Sequence, residues 1–144
     1  MSMPIRKRAG RKPAGFTLIE LLIAIAVVGI VMALAVASYD FAMVKARRAA
    51  AQGCLAEAAQ ALERHYTLQF TYVGAPAPTC SADVAAHYAV GFASGEPTQS
   101  TYRLTAVPQG SQAGSDTTCG TLSLDHTGVR LAGDGTPGTV DACW

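Results

Sequence analysis

The sequence predicts an α+β fold, with one long N-terminal helix followed by a small antiparallel sheet. Three observations predict it. An uncharged apolar run from Leu21 to Ala37 is 17 residues long and contains no proline. From Phe41 to Phe70, apolar residues recur at steps of three, four or seven, the spacing of one helix face. From Thr71 onward the composition turns to Gly, Pro, Ser and Thr, and short stretches alternate as half-buried strands do.

The apolar run is the first element. Counted from Phe16 it has 22 residues, and a bilayer core needs roughly 20 in a helix. Arg6, Lys7, Arg8, Arg11 and Lys12 precede it, with no acid among them. Such an excess marks the cytoplasmic side, so the N-terminus stays inside and the rest is exported. A cleaved secretory signal has an apolar core of only about 7–15 residues. Ala35-Val36-Ala37 imitates its cleavage site, but no extended polar flank follows. A plain signal anchor is the better alternative, and Glu20 counts against that. An acid at mid-membrane costs about 3 kcal/mol, and less near an end.

Glu20 makes physical sense as half of an ion pair. A carboxylate and an ammonium attract far more strongly in a low-dielectric bundle than in water. Either one alone would be an unpaired buried charge. Apolar helices slide past one another easily, and one required pair sets their axial offset, as a buried polar group does in a coiled coil.

The second element is the amphipathic continuation. Phe41, Val44, Ala51, Leu55, Ala58, Leu62, Tyr66 and Phe70 form the stripe, and Lys45, Arg47, Gln52, Glu57, Gln60, Glu63 and Arg64 fill other faces. With no proline between Phe16 and Phe70, a single helix of 55 residues is the simplest reading, about 80 Å long. The Lys45-Ala46-Arg47-Arg48 cluster just beyond the span suits lipid head groups, acidic neighbours or plain solvent.

The head comes last. Tyr72 to Cys80 reads as a loop. His87–Phe92, Thr101–Val107, Thr121–Asp125 and Val129–Leu131 read as strands, with a hairpin turn at His126-Thr127-Gly128. Tyr88, Leu104, Leu122 and Leu124 are expected to face the helix stripe. Gly133 to Ala142 reads as an irregular tail.

The string Lys12-Pro13-Ala14-Gly15-Phe16-Thr17-Leu18-Ile19-Glu20-Leu21-Leu22-Ile23 resembles the class III signal of type IV prepilins and pseudopilins. The body is similar to PilE-like type IVa pilins. Arg47-Arg48, Glu63-Arg64-His65-Tyr66, Tyr102 to Gly110, Cys119 to Asp125, Thr127-Gly128 and the closing Cys143-Trp144 carry that likeness. The resemblance implies a type IV pilin fold in four parts. These are a removed leader (1–15), a membrane and assembly helix (16–37), its amphipathic half (38–70) and a head (71–144). The head would hold an αβ-loop, the sheet and a disulfide-closed C-terminal loop. It further implies cleavage by prepilin peptidase between Gly15 and Phe16, and N-methylation of Phe16. Glu20 would then pair with the Phe16 amine of a neighbouring subunit, with Thr17 beside them. One departure stands out: many relatives carry proline where this chain has Ala37.

There are four cysteines and no Cys-x-x-Cys spacing. An even count in an exported chain favours disulfides over a zinc ribbon. Three connectivities are open on paper. We favour Cys54–Cys80 with Cys119–Cys143, the second of which resembles the disulfide-bounded loop of type IVa pilins.

Removing the leader leaves six basic and ten acidic side chains. A mildly acidic exported part argues against phosphate-backbone binding as its main task, so nucleic acid is not an expected partner. No catalytic motif, phosphate loop or carboxylate pair is present around His65, His87 or His126; His65 is expected on the exposed, solvated flank of the helix and His126 in a turn. Asp134-Gly135 with Asp141 lacks the ligand spacing of an EF-hand. An enzyme, a cofactor and a metal are therefore not expected.

The expected function is a structural subunit of a type IV pilus, with a minor pilin included in that reading. Such a pilus serves twitching motility, cell adhesion or DNA uptake. The expected partners are other pilin subunits, the prepilin peptidase, the inner-membrane assembly machinery, and membrane lipid before assembly. Before assembly the chain would be a single-pass inner-membrane protein with a cytoplasmic N-terminus, and afterwards part of an extracellular fimbrium. The alternatives are a pseudopilin of a type II secretion system and a DNA-capturing competence pilin.

Overall fold

The computed structural model describes residues 15–133 and 135–144. The leader cations Arg6, Lys7, Arg8, Arg11 and Lys12 lie outside the described residues, as do Asp134 and the side chain of Ala37. The chain divides into two compact units, the first ending at Ser38 and the second covering Tyr39–Trp144.

Helix α1 runs Leu18–Gln69, within two residues of the expected bounds at each end. Its first part is long and apolar enough to cross a membrane. Among the large apolar side chains from Phe16 to Val36, the least exposed is Leu22 at 49%. No core within that unit covers them. Leu, Ile, Ala and Val supply the apolar surface, and no proline interrupts the backbone ladder.

The second unit builds its own core. A short helix α2 (Ala82–Ala85) is capped by the Ser81 side chain. Strands β1 (Tyr88–Phe92), β2 (Arg103–Pro108), β3 (Leu122–Asp125) and β4 (Arg130–Ala132) form an antiparallel meander in chain order. Helix α3 (Gly110–Ser115) interrupts it between β2 and β3, and α4 (Pro137–Cys143) follows β4. The register pairs Val90 with Ala106, Leu104 with Leu124, and Leu122 with Ala132. Paired residues share a face, so these side chains form one apolar surface. It meets the α1 stripe at Ala51, Leu55 and Leu62, and Leu55, Leu104 and Leu122 are fully buried.

The structure corrects three expectations. Phe41 and Phe70 belong to the apolar stripe by spacing, yet they are 65% and 76% exposed. They lie at the two ends of the amphipathic segment, beyond the reach of the sheet. His65, read as solvated, is half-buried, and its Nε2 is enclosed without a hydrogen-bond partner. The tail read as irregular contains α4, with proline in its first turn, where a missing N–H costs nothing.

Two glycines are required by geometry. Gly128 has φ +82° in the β3–β4 turn and donates its N–H to Asp125 O at 2.9 Å. Gly133 has φ +54°, and a Cβ there would lie 2.5 Å from Thr118 O.

Candidate assembly site and head surface

Gly15, Phe16 and Thr17 precede the first turn of α1 and are exposed. Thr17 Oγ1 accepts from Glu20 N at 3.3 Å, and Glu20 Oε2 accepts from Thr17 N at 3.4 Å. This is a reciprocal capping box, which satisfies donors that a helix start leaves open. It also turns the Glu20 carboxylate back toward the start of the helix, one residue from Phe16. The structure therefore groups Phe16, Thr17 and Glu20 at one exposed helix end. The Gly15–Phe16 peptide lies just outside that end, and a Cβ added to Gly15 would meet nothing within 4 Å.

The head is held by two disulfides. Cys54 in α1 joins Cys80 in the following loop, with Cα atoms 5.7 Å apart. Cys119 before β3 joins Cys143 in α4, at 5.5 Å. Each closes a loop of about two dozen residues, which adds roughly 3 kcal/mol of stability. The C-terminal tail is fastened further. The Gln52 amide donates to Cys143 O, and Trp144 Nε1 donates to Leu131 O at 2.9 Å. That last bond covers part of the outer edge of β4, limiting strand addition there.

A buried polar knot joins α1 to α3 and β1. Arg48 Nε lies 3.0 Å from Asp116 Oδ2, and Tyr88 OH donates to the same oxygen at 3.0 Å. Gln112 Nε2 is within reach of Asp116 Oδ2, Tyr88 OH and Val44 O. Burial pushes the Tyr88 hydroxyl pKa up to about 12; the hydrogen bond from Gln112 works against that rise, and the bond to the Asp116 carboxylate adds to it. Sequence reasoning missed this knot, although two signals pointed to it. Arg48 falls on the buried stripe, between Val44 and Ala51. Asp116 is the one charged residue between Leu104 and Leu124.

A second cluster lies at the far end of the stripe. The Tyr66 and Tyr72 rings stack at 4.6 Å, and Tyr102 meets Tyr72 edge-on at 4.9 Å. Tyr72 OH donates to Glu63 at 3.1 Å. Burial, reinforced by that carboxylate, pushes the Tyr72 pKa up to about 12.

The remaining charges are scattered. Arg103 sits 3.7 Å from Asp125, and Arg130 lies over the Trp144 ring at 5.3 Å. The Asp125 carboxyl is pushed up by burial. The Thr127 hydroxyl, the N–H groups of Thr127 and Val129, and Arg103 outweigh that and hold it below its ordinary value. Among the described residues, no three His, Cys, Asp or Glu side chains gather as a metal site.

Residues 10–36 match the prokaryotic N-terminal methylation motif. That motif, followed by one long helix and a four-stranded antiparallel head, defines the pilin class. Residues 37–123 match the model of the type IV minor pilin ComP, DNA uptake sequence receptor. The second match covers more than half of the chain, and the chain belongs to this type IV minor pilin family. The crystal structure of the Neisseria meningitidis non-core minor pilin PilV superposes with a TM-score of 0.52. Identity is 21%, over 66% of this chain and 90% of that one, so the likeness is one of fold. No curated protein sequence matches the chain.

Proposed function

We propose that this minor pilin is made as a precursor and cut between Gly15 and Phe16 by a prepilin peptidase. Phe16 is then methylated, and the chain waits in the inner membrane with its N-terminus cytoplasmic. Assembly machinery draws it into a pilus, where Glu20 takes the Phe16 ammonium of a neighbouring subunit. The observation that carries this reading is the exposed helix start. A carboxylate is already turned toward Phe16, ahead of apolar side chains that their own unit leaves uncovered. An N-terminus freed at Phe16 supplies the missing cation at that end. Co-expression with a prepilin peptidase tests the reading. The account expects a product shortened by the leader and beginning at methylated Phe16, and an uncut chain contradicts it.

The family match favours a second role for the head, namely capture of DNA during uptake. Residues 39–144 carry six basic and nine acidic side chains, so binding cannot come from overall charge. It must come from local groups such as Arg64 and Arg130, both exposed. A gel shift with the full chain at low and moderate salt tests this. Salt-sensitive retention of duplex DNA supports capture, and no retention at low salt contradicts it.

A further inference from the structure

At the start of the second unit, residues 39–47 of α1 and helix α3 enclose a cleft of about 400 Å³. Its polar lining is Tyr39, Asp40, Arg47, Ser111 and Ser115. Asp40, Val44 and Arg47 recur at helical spacing on one face of α1, and Ser111 and Ser115 lie one turn apart on α3. None of the five polar side chains has a hydrogen-bond or ion-pair partner among the described residues. Asp40 and Arg47 carry opposite charges in one cleft without bridging each other. The neighbouring cation, Arg48, is already committed to Asp116 at 3.0 Å.

These groups form a neutral site with one cation, one anion and three hydroxyls. A net anion is not its best complement; a zwitterion with separated phosphate and ammonium is. Chain reach supplies the source. Tyr39 and Phe41 follow the end of the apolar run at Ala37 by two and four residues, so even an extended chain keeps them within about 15 Å of it. The polar layer of one leaflet is about 5–8 Å thick. Tyr39 and Phe41 are 64% and 65% exposed, and aromatic residues of this kind gather at membrane interfaces. The Lys45 ammonium sits over the Phe41 ring, 4.9 Å from its centroid, a cation–π contact.

We propose that this cleft binds the headgroup of a phosphatidylethanolamine lipid in the exported leaflet before the subunit enters a pilus. Arg47 and the hydroxyls of Ser111, Ser115 and Tyr39 take the phosphate, and Asp40 accepts from the lipid ammonium. The proposal rests on the membrane-resident precursor argued above. A choline headgroup has the same charges but no N–H to donate, and a glycerol headgroup has no cation.

The test uses the full chain in vesicles of equal parts phosphatidylethanolamine, phosphatidylcholine and phosphatidylglycerol. Native mass spectrometry then reads which lipid the released protein retains. Phosphatidylethanolamine should be enriched about tenfold over phosphatidylcholine, the worth of one charge-assisted hydrogen bond. Asp40→Asn should erase that preference, Arg47→Gln should lower retention of every lipid, and Asp83→Asn, at an exposed site on α2, should change nothing. Equal retention of the three lipids by the natural chain overturns the proposal without recourse to a variant. So does enrichment of phosphatidylglycerol, or an ethanolamine preference that survives Asp40→Asn. If Asp40→Asn and Arg47→Gln impair pilus incorporation while no lipid is selected, the cleft serves a neighbouring subunit instead. A chain that enters no vesicle at all contradicts the membrane reading rather than the site.

Discussion

From Phe16 to Val36 the large apolar side chains stand roughly half or more exposed, whereas Leu55, Leu104 and Leu122 in the head are fully buried. The contrast extends to charge. Glu20 is exposed at a helix end, held only by a cap that any helix start uses. Asp116 is buried and shared by Arg48, Tyr88 and Gln112. The head covers its core leucines and pairs the buried Asp116 with groups of its own. The first unit leaves both kinds open, so its surface suits lipid first and like helices afterwards. On the function proposed above, stability and assembly are separated along the chain: mutations in one region should fail by unfolding, those in the other by failing to join a filament.

Four substitutions can break or sharpen that contrast. The largest effect is expected at Gly15. Gly15→Leu should leave uncut precursor in the membrane with the head intact, read by immunoblot and by disulfide content. Next is Glu20→Ala, which should be processed normally yet reach surface filaments at about a tenth of the usual level or less, for the loss of a partly buried ion pair. Wild-type incorporation would leave the pairing argument without support. In the head, Asp116→Ala should strand the Arg48 guanidinium and cost about 3–5 kcal/mol, read by thermal melting of the full chain in detergent. Gly133→Ala should follow at about 1–2 kcal/mol for its left-handed backbone, more if the Thr118 carbonyl cannot move.

The smallest expected effect is a pH dependence. Asp125 has a folded-state pKa depressed below its ordinary value of 3.8. It therefore contributes stability that is present above that value and is lost as pH falls through the lowered one. Asp125→Asn should flatten that acid limb by under about 1 kcal/mol. An unchanged acid limb would mean that the Thr127 and Val129 hydrogen bonds do not favour the charged form.

How much of this was legible in the sequence follows from the physics of each part. The long helix and the strands are local patterns: an apolar run without proline, helical spacing and strand alternation placed α1 and β1 to β4 close to their observed bounds. The turn at Gly128 follows from residue type in the same way. The Arg48–Asp116 pair spans 68 positions, and no local pattern reports a contact of that separation. Helix α4 was hidden because Gly135, Pro137 and Gly138 weigh against a helix by propensity. Its disulfide and Trp144 hydrogen bond hold it regardless. Phe41 and Phe70 were misplaced because spacing says which face a residue occupies but not where the opposing sheet ends. At the assembly site, Gly15, Phe16 and Glu20 were legible as a string, while the capping geometry of Thr17 needed coordinates.

The most direct test of the central claim is mass spectrometry of surface filaments sheared from cells that express this chain. The account predicts a subunit beginning at N-methylated Phe16, with Cys54–Cys80 and Cys119–Cys143 linked, at low abundance beside a major pilin. A subunit that retains Arg6 to Lys12, or that is missing from every filament preparation while present in the membrane, would contradict it.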